Sequence, residues 1–167
     1  MSHPGSILIV DDEPAIASML SDHLGSQGYQ VDVALHAGDA VMLASLARPD
    51  VVILDLMLPE VSGEHIFQQL RALDGSISIV LLTGMADESV ARGLLRAGAF
   101  DYLRKPPDFE RLYTAIALAV AAGRGKSRAG TVVPFTSDRR TPSGDAGRES
   151  PCTDAPAADL LRRPYRL

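Results

Sequence analysis

The sequence predicts an α/β fold of the flavodoxin-like type, in which helices cover both faces of a parallel five-stranded sheet. Three observations predict it. Short apolar segments alternate with longer segments of helical periodicity, and three of the apolar segments contain four successive residues without a polar side chain. Strands buried on both faces have this composition, which is typical of a parallel sheet. The length of 167 residues, with 46% hydrophobic content, provides one core but hardly two.

The alternation divides the chain into five βα units. We predict strands at 7–10, 30–34, 51–54, 77–82 and 100–103, and helices at 14–24, 37–46, 64–73, 88–97 and 109–120. The first helix begins with Pro14, which suits a first helical turn because an N–H group there has no partner within the helix. In the same helix Ile16, Leu20 and Leu24 recur every four residues, which predicts one apolar face.

The composition of the strands also predicts their order. The segments 7–10, 51–54 and 79–82 are apolar throughout and belong in the centre of the sheet. The segments 30–34 and 100–103 mix polar and apolar residues, so we place them at the edges. The resulting order is 2-1-3-4-5. In such a sheet the ligand site lies at the carboxyl ends of the strands, near the switch point between strands 1 and 3.

Charge and composition change near residue 123. Residues 1–123 carry 7 basic and 16 acidic side chains, a net charge of −9, whereas residues 124–167 carry 9 basic and 5 acidic ones, a net charge of +4. Five of the 11 prolines lie in the second segment, where they would interrupt most helices. We therefore expect a folded domain over 1–123 and a low-complexity, disordered basic tail over 124–167.

The composition excludes several classes of function. No run of eighteen apolar residues could span a membrane, and the N-terminal residues lack the basic region of a secretory signal. The single cysteine, Cys152, cannot form an intrachain disulfide, which favours a cytoplasmic location. Because the acidic body repels phosphate backbones, nucleic acid is not an expected partner of the folded domain.

Acidic, hydroxyl and basic side chains converge at the carboxyl ends of four predicted strands. They are Asp11, Asp12 and Glu13 after strand 1, Asp55 after strand 3, Thr83 after strand 4 and Lys105 after strand 5. Carboxylates about 4 Å apart repel by roughly 4 kcal/mol at an effective dielectric constant near 20, so protonation, a lysine or a divalent cation must offset them. Such oxygen ligands suit Mg²⁺, which also accepts phosphate oxygens. Taken alone, Asp12 is as well placed to cap the first helix.

Four motifs contain these residues. They are Ile7-Leu8-Ile9-Val10-Asp11-Asp12-Glu13, Asp55-Leu56-Met57-Leu58-Pro59 with Gly63, Leu82-Thr83-Gly84, and Gly98-Ala99-Phe100-Asp101-Tyr102-Leu103-Arg104-Lys105-Pro106. In these motifs, and through residues 6–121, the chain resembles the receiver domain of bacterial two-component response regulators. Since no effector-domain pattern follows residue 123, the stand-alone, single-domain type of receiver is the one it resembles.

The resemblance implies a phosphoacceptor and a metal site. Asp55 would accept a phosphoryl group from a histidine kinase or a histidine phosphotransfer protein. Asp12, Asp55 and the backbone carbonyl of Met57 would bind Mg²⁺, and Asp11 would act through a water molecule.

The resemblance also implies a switch. Thr83 and Lys105 would hold the phosphoryl oxygens, and Tyr102 would be the rotating aromatic side chain that reports the position of Thr83. The surface of helix 4, strand 5 and helix 5 would then change. This surface carries four of the basic residues of the body, Arg92, Arg96, Arg104 and Arg111. They form either a solvated face or a surface for a partner or a second copy.

The implied function is a signalling switch that catalyses only its own phosphorylation and dephosphorylation and is not otherwise an enzyme. Its implied partners are the kinase, a downstream protein target and a second phosphorylated copy. One alternative is the receiver part of a DNA-binding transcriptional regulator, although the tail lacks the helical periodicity of a sequence-reading helix. Another is a Mg²⁺-dependent phosphohydrolase similar to haloacid dehalogenases, which carry Asp-x-Asp after the first strand, whereas here Asp11 and Asp12 are adjacent.

Two loop residues bear on the lifetime of the phosphoryl group. Met57 and Met85 lie two positions beyond Asp55 and Thr83, respectively. Neither side chain can orient an attacking water molecule by a hydrogen bond, so we expect slow dephosphorylation. In the alternative interpretation the two methionines only pack the rim of the site.

Overall fold

The computed structural model describes residues 4–84 and 88–129. Within them strands and helices alternate as the sequence predicts. The strands are Ser6–Val10 (β1), Gln30–Ala34 (β2), Val51–Asp55 (β3), Ser78–Thr83 (β4) and Asp101–Arg104 (β5). The helices are Pro14–Ser26 (α1), Ala37–Ala47 (α2), Gly63–Leu73 (α3), Glu88–Arg96 (α4) and Phe109–Ala129 (α5).

The strands form one parallel sheet in the order β2-β1-β3-β4-β5, which confirms the predicted flavodoxin-like topology. Every residue of β3 and β4 is buried, whereas the edge strands β2 and β5 each bury one residue. The apolar runs therefore occupy the centre because only central strands are covered on both faces. This order brings the carboxyl ends of β1, β3, β4 and β5 to one edge of the sheet.

Successive side chains of the central strands point into two separate cores. In β1, Leu8 and Val10 pack with buried residues of α2, α3 and α4, and Ile7 and Ile9 pack with buried residues of α1 and α5. Three helices thus cover one face of the sheet and two cover the other. The two cores hold the sheet on both faces, and the residues at the carboxyl ends of the strands lie at the edge of these cores.

Helix α5 continues past its predicted end at Val120 and past Gly123. A Cβ atom on Gly123 would lie 3.1 Å from the Asp50 carbonyl oxygen, so the glycine lets α5 pass close to the start of β3. Arg124 then lies 3.6 Å from an Asp50 carboxylate oxygen. Residues 130–167, most of the predicted tail, lie outside the described residues. In the described part of the chain, no helix is long and apolar enough to cross a membrane.

Candidate functional site

One lysine joins two buried carboxylates at the carboxyl edge of the sheet. Lys105 Nζ lies 2.8 Å from Asp11 Oδ2 and 2.7 Å from Asp55 Oδ2. Carboxylate oxygens of Asp11, Asp12 and Asp55 all lie within 4.8 Å of one another. The structure therefore brings together four residues that the sequence predicts as neighbours and that three different strands position.

Tight turns after β1 and β3 orient the carboxylates. The N–H group of Glu13 donates to Asp11 Oδ1 at 2.9 Å, and the N–H group of Met57 donates to Asp55 Oδ1 at 2.9 Å. In both residues the backbone occupies one oxygen and the other faces Lys105. Glu13 is the N-cap residue of α1 and no side chain caps this helix, so Asp12 does not have the capping role that the sequence also allowed.

Burial and ion pairing oppose each other at these groups. Asp11 is fully buried and Asp55 is 2% exposed. Burial raises the pKa of the Asp11 carboxyl above its usual value, although the hydrogen bonds from Lys105 and from the Glu13 N–H group lower it. Burial also lowers the pKa of Lys105, but the nearby carboxylates of Asp11 and Asp55 outweigh it and raise the pKa above its usual value. Lys105 is therefore held in its charged form.

The donor set fits a divalent cation. Asp11 Oδ2 is buried and forms an ion pair with the ammonium group of Lys105 at 2.8 Å. One ammonium group offsets the charge of only one of the three clustered carboxylates, and buried charge that stays uncompensated is costly unless a further cation binds it. Asp12 is partly exposed, so water has access to the cluster. Three carboxylates beside water are the ligands that Mg²⁺ prefers.

Thr83 lies next to Lys105, but its hydroxyl group is directed elsewhere. The side chain is fully buried, and Oγ1 donates to the Gly84 carbonyl oxygen at 2.7 Å. The N–H group of Lys105 donates to the Thr83 carbonyl oxygen at 2.9 Å, which fixes the ends of β4 and β5 together. The hydroxyl must therefore turn before it can contact a group on Asp55. Met85 lies outside the described residues.

Tyr102 and the predicted arginine surface lie on β5 and its flanking helices. The Tyr102 side chain is half-buried against the core formed with α2, α3 and α4, and Arg111 donates to its carbonyl oxygen at 3.3 Å. Arg92 and Arg104 are exposed, but both donate to the carboxylate of Glu88. Arg111 also lies 4.0 Å from a carboxylate oxygen of Asp101, so three of the four predicted arginines pair with carboxylates within the chain.

The sequence analysis names two further residues of the site, Glu13 and Gly63, without assigning them a role. Glu13 Oε1 lies 3.4 Å from Lys105 Nζ. Gly63, the first residue of α3, lies against the backbone of the site: a Cβ atom there would be 2.6 Å from the Asp55 carbonyl oxygen and from Leu56 Cα. A close approach of this kind arises only from tertiary packing and leaves no local pattern.

Comparisons with known proteins agree with this geometry. The family model described as the response regulator receiver domain matches residues 7–117. The response regulator MprA of Mycolicibacterium vanbaalenii is 38% identical over 109 residues, which are 65% of this chain and 47% of MprA. The regulatory protein AtoC of Escherichia coli is 37% identical over 106 residues, which are 64% of this chain and 23% of AtoC. The chain thus spans half or less of the length of these relatives.

One solved structure matches the fold of this chain over nearly the whole length of the solved protein. The CheY-like response regulator receiver domain protein of Methanospirillum hungatei aligns with a TM-score of 0.68 and 26% identity, over 72% of this chain and 97% of that one. The match to the family model extends from β1 into α5 and includes every strand end of the site. The chain therefore belongs to the response regulator receiver domain family.

Proposed function

We propose that the chain is a signalling switch that accepts a phosphoryl group on Asp55 and thereby changes the proteins it binds. The observation that carries this proposal is the single ammonium group within 2.8 Å of two buried carboxylates, beside a third carboxylate. A lysine and carboxylate ligands for a metal are the groups that phosphoryl transfer requires, because that reaction depends on positioning and charge neutralisation.

Asp55 is the proposed nucleophile. Its Oδ1 atom accepts a hydrogen bond from the Met57 N–H group, whereas Oδ2 faces the site. In the proposed step a carboxylate oxygen forms a bond to the phosphorus of a phosphohistidine, the phosphorus–nitrogen bond breaks, and the imidazole leaves with the electron pair. Asp11, Asp12 and Asp55, with the Met57 carbonyl, would hold Mg²⁺, which supplies charge neutralisation for the phosphoryl oxygens when bound.

Lys105 and Thr83 are proposed to hold the transferred group. Once Asp55 becomes an acyl phosphate, Lys105 keeps its pair with Asp11 and turns from the Asp55 carboxylate to a phosphoryl oxygen. Thr83 exchanges its hydrogen bond to Gly84 for one to another phosphoryl oxygen. The space that Thr83 vacates would then allow Tyr102 to move inward, which alters the α4–β5–α5 surface. The proposed partners of that surface are a downstream protein and a second phosphorylated copy.

Intact-protein mass spectrometry after incubation with acetyl phosphate tests the proposal. We expect a mass gain of one phosphoryl group that requires Mg²⁺ and disappears in Asp55→Asn. Asp39→Asn is a matched control, since it removes the carboxylate of an exposed residue of α2, and it should be phosphorylated normally. A mass gain that persists in Asp55→Asn would place the modification elsewhere, and no gain in any variant would contradict the switch.

A second candidate is the receiver part of a DNA-binding transcriptional regulator. The observation that favours it is the partial coverage of the relatives, since the chain spans 47% of MprA and 23% of AtoC. The expectation that nucleic acid is not a partner gains no support from these regulatory relatives. Titrating duplex DNA of several sequences at two salt concentrations tests it: a sequence preference favours this function, whereas steep salt dependence alone indicates charge attraction.

A further inference from the structure

A carboxylate at the start of α4 ties this helix to β5. Arg92 Nη2 donates to Glu88 Oε1 at 2.8 Å, and Arg104 Nη2 donates to the second oxygen, Glu88 Oε2. Arg92 lies on the same helix as Glu88, whereas Arg104 lies on β5. Among the described residues Glu88 is the one carboxylate that pairs with two arginines. Hydrogen bonding to Arg92, and the charges of Arg104 and Arg92, hold its pKa below the usual range.

The β5 end of this bridge lies beside the candidate site. Arg104 directly precedes Lys105 and is the register partner of Thr83 in the pairing of β4 with β5. The N–H group of Lys105 donates to the Thr83 carbonyl oxygen at 2.9 Å. A displacement of Arg104 is therefore transmitted through the backbone to both residues proposed to hold the phosphoryl group.

The α4 end of the bridge is also close to Thr83 in the chain. Residues 84–87 connect Thr83 to Glu88, and the first of them, Gly84, accepts the hydrogen bond from the Thr83 hydroxyl group at 2.7 Å. Thr83 must release this carbonyl oxygen before it can contact a group on Asp55.

We propose that Glu88 is a positioning residue whose bridge to Arg104 stabilises the arrangement in which the Thr83 hydroxyl group is bonded to Gly84. This inference rests on the proposed phosphorylation of Asp55. Phosphorylation and the bridge then oppose each other, and because such coupling is reciprocal, a weakened bridge favours phosphorylation. The same coupling releases Arg104 in the phosphorylated form, where it can bind a carboxylate of a partner.

Four neutralising substitutions in the full chain test the coupling. Glu88→Gln and Arg104→Gln remove the bridge between α4 and β5. Arg92→Gln leaves the bridge to β5 in place and removes the pair within α4 together with an interaction between Arg92 and Tyr102. Glu110→Gln removes the charge of an exposed residue that forms no ion pair among the described residues. The initial rate of phosphorylation by acetyl phosphate with Mg²⁺ is measured for each by intact-protein mass spectrometry, and the midpoint of thermal unfolding is measured in parallel.

We expect Glu88→Gln and Arg104→Gln to be phosphorylated about two- to fivefold faster than the wild type, the range that a surface ion pair provides. A double variant that combines Glu88→Gln with Arg104→Gln should be phosphorylated no faster than either single variant, because both substitutions remove the same bridge. Glu110→Gln should keep the wild-type rate, and Arg92→Gln, which leaves the bridge to β5 intact, should be accelerated less than either bridge variant. A purely structural role would change the unfolding midpoint and leave the rates alone.

Two results would overturn the coupling while the proposed function stands. In the first, the wild type is phosphorylated, but Glu88→Gln and Arg104→Gln are phosphorylated at the wild-type rate or more slowly. The other is an equal acceleration in Glu110→Gln, which would show an effect of net charge alone. If the wild type takes no phosphoryl group, the proposed function fails first, and the coupling fails with it.

Discussion

The substitution Gly63→Ala tests whether the start of α3 positions Asp55. A Cβ atom at residue 63 would lie 2.6 Å from the Asp55 carbonyl oxygen and from Leu56 Cα. Comfortable contacts between carbon atoms are about 3.5–4.0 Å, so the backbone has to move by roughly 1 Å. Overpacking of this kind costs about 1–3 kcal/mol. The higher helix propensity of alanine offsets less than about 1 kcal/mol of this cost, because Gly63 is only the first residue of the helix.

We therefore expect Gly63→Ala to lower the free energy of unfolding by about 1–2 kcal/mol, measured by urea denaturation. The colliding atoms belong to Asp55 and Leu56, so the displacement also moves the proposed nucleophile relative to Lys105. Misplacement by about 1 Å can slow a reaction by roughly 100-fold. Phosphorylation by acetyl phosphate should therefore slow by far more than the fraction of unfolded protein explains.

Gly25→Ala is the matched control for this experiment. Gly25 lies in α1, and a Cβ atom there would meet no atom within 4 Å. The alanine should raise the free energy of unfolding by up to about 1 kcal/mol and leave the phosphorylation rate unchanged. A Gly63→Ala variant with the stability and the rate of the wild type would refute the argument that α3 fixes the position of Asp55.

Three further substitutions test the charge, the lifetime and the acid stability of the domain. Asp12→Asn removes one of three carboxylates that lie within 4.8 Å of one another, so in the absence of Mg²⁺ its free energy of unfolding should exceed that of the wild type by up to about 3 kcal/mol. The stabilisation of the wild type by Mg²⁺ should disappear in this variant. Thermal unfolding in EDTA and in Mg²⁺ measures both effects. Met57→Gln offers a hydrogen bond to an attacking water molecule and should speed loss of the phosphoryl group roughly tenfold, which is less than the acceleration that a general base provides. Met42→Gln, at another exposed methionine, should leave the rate of loss unchanged. An unchanged rate in Met57→Gln would favour the interpretation that the methionines only pack the rim of the site. Hydrogen bonds from Ser76 hold the pKa of Asp74 below its ordinary value of 3.8. The stability that they contribute is therefore present above pH 3.8 and is lost as the pH falls through the lower pKa that Asp74 has in the folded state. Between pH 2 and 5 the urea midpoint should fall less steeply with pH in Ser76→Ala than in the wild type, and equal slopes would contradict this prediction.

The sheet could be predicted because burial leaves a direct trace in composition. A strand covered on both faces must be apolar at every position, as 51–54 is, whereas an edge strand such as Gln30–Ala34 tolerates alternation. Once the order was known, parallel strands required the chemistry after β1, β3, β4 and β5 to meet at one edge. The convergence of the acidic residues on Lys105 followed from topology and needed no distance information.

Contacts between elements that are distant in sequence could not be predicted. Helix α5 continues past Gly123 because that glycine packs against the Asp50 carbonyl oxygen, although a glycine usually marks the end of a helix. The arginines of the α4–β5–α5 surface were predicted to form either a solvated face or a surface for a partner or a second copy. Glu88 instead occupies Arg92 and Arg104, and nothing in the local sequence pairs residue 88 with residue 104. The two residues are sixteen positions apart in the chain.

The charges of the site explain why the proposed switch requires both a metal ion and a movement of Thr83. The clustered carboxylates of Asp11, Asp12 and Asp55 and the ammonium group of Lys105 together carry a net charge of −2, which Mg²⁺ would offset, and the exposed Glu13 adds one further negative charge. Phosphorylation replaces the single negative charge of Asp55 with about two, so an additional negative charge remains even with the metal bound. Lys105 already pairs with Asp11 and Asp55, and the buried hydroxyl group of Thr83 is a donor that could exchange the Gly84 carbonyl oxygen for a phosphoryl oxygen. The added charge is therefore expected to draw this hydroxyl away from Gly84, and that movement carries the signal towards α4.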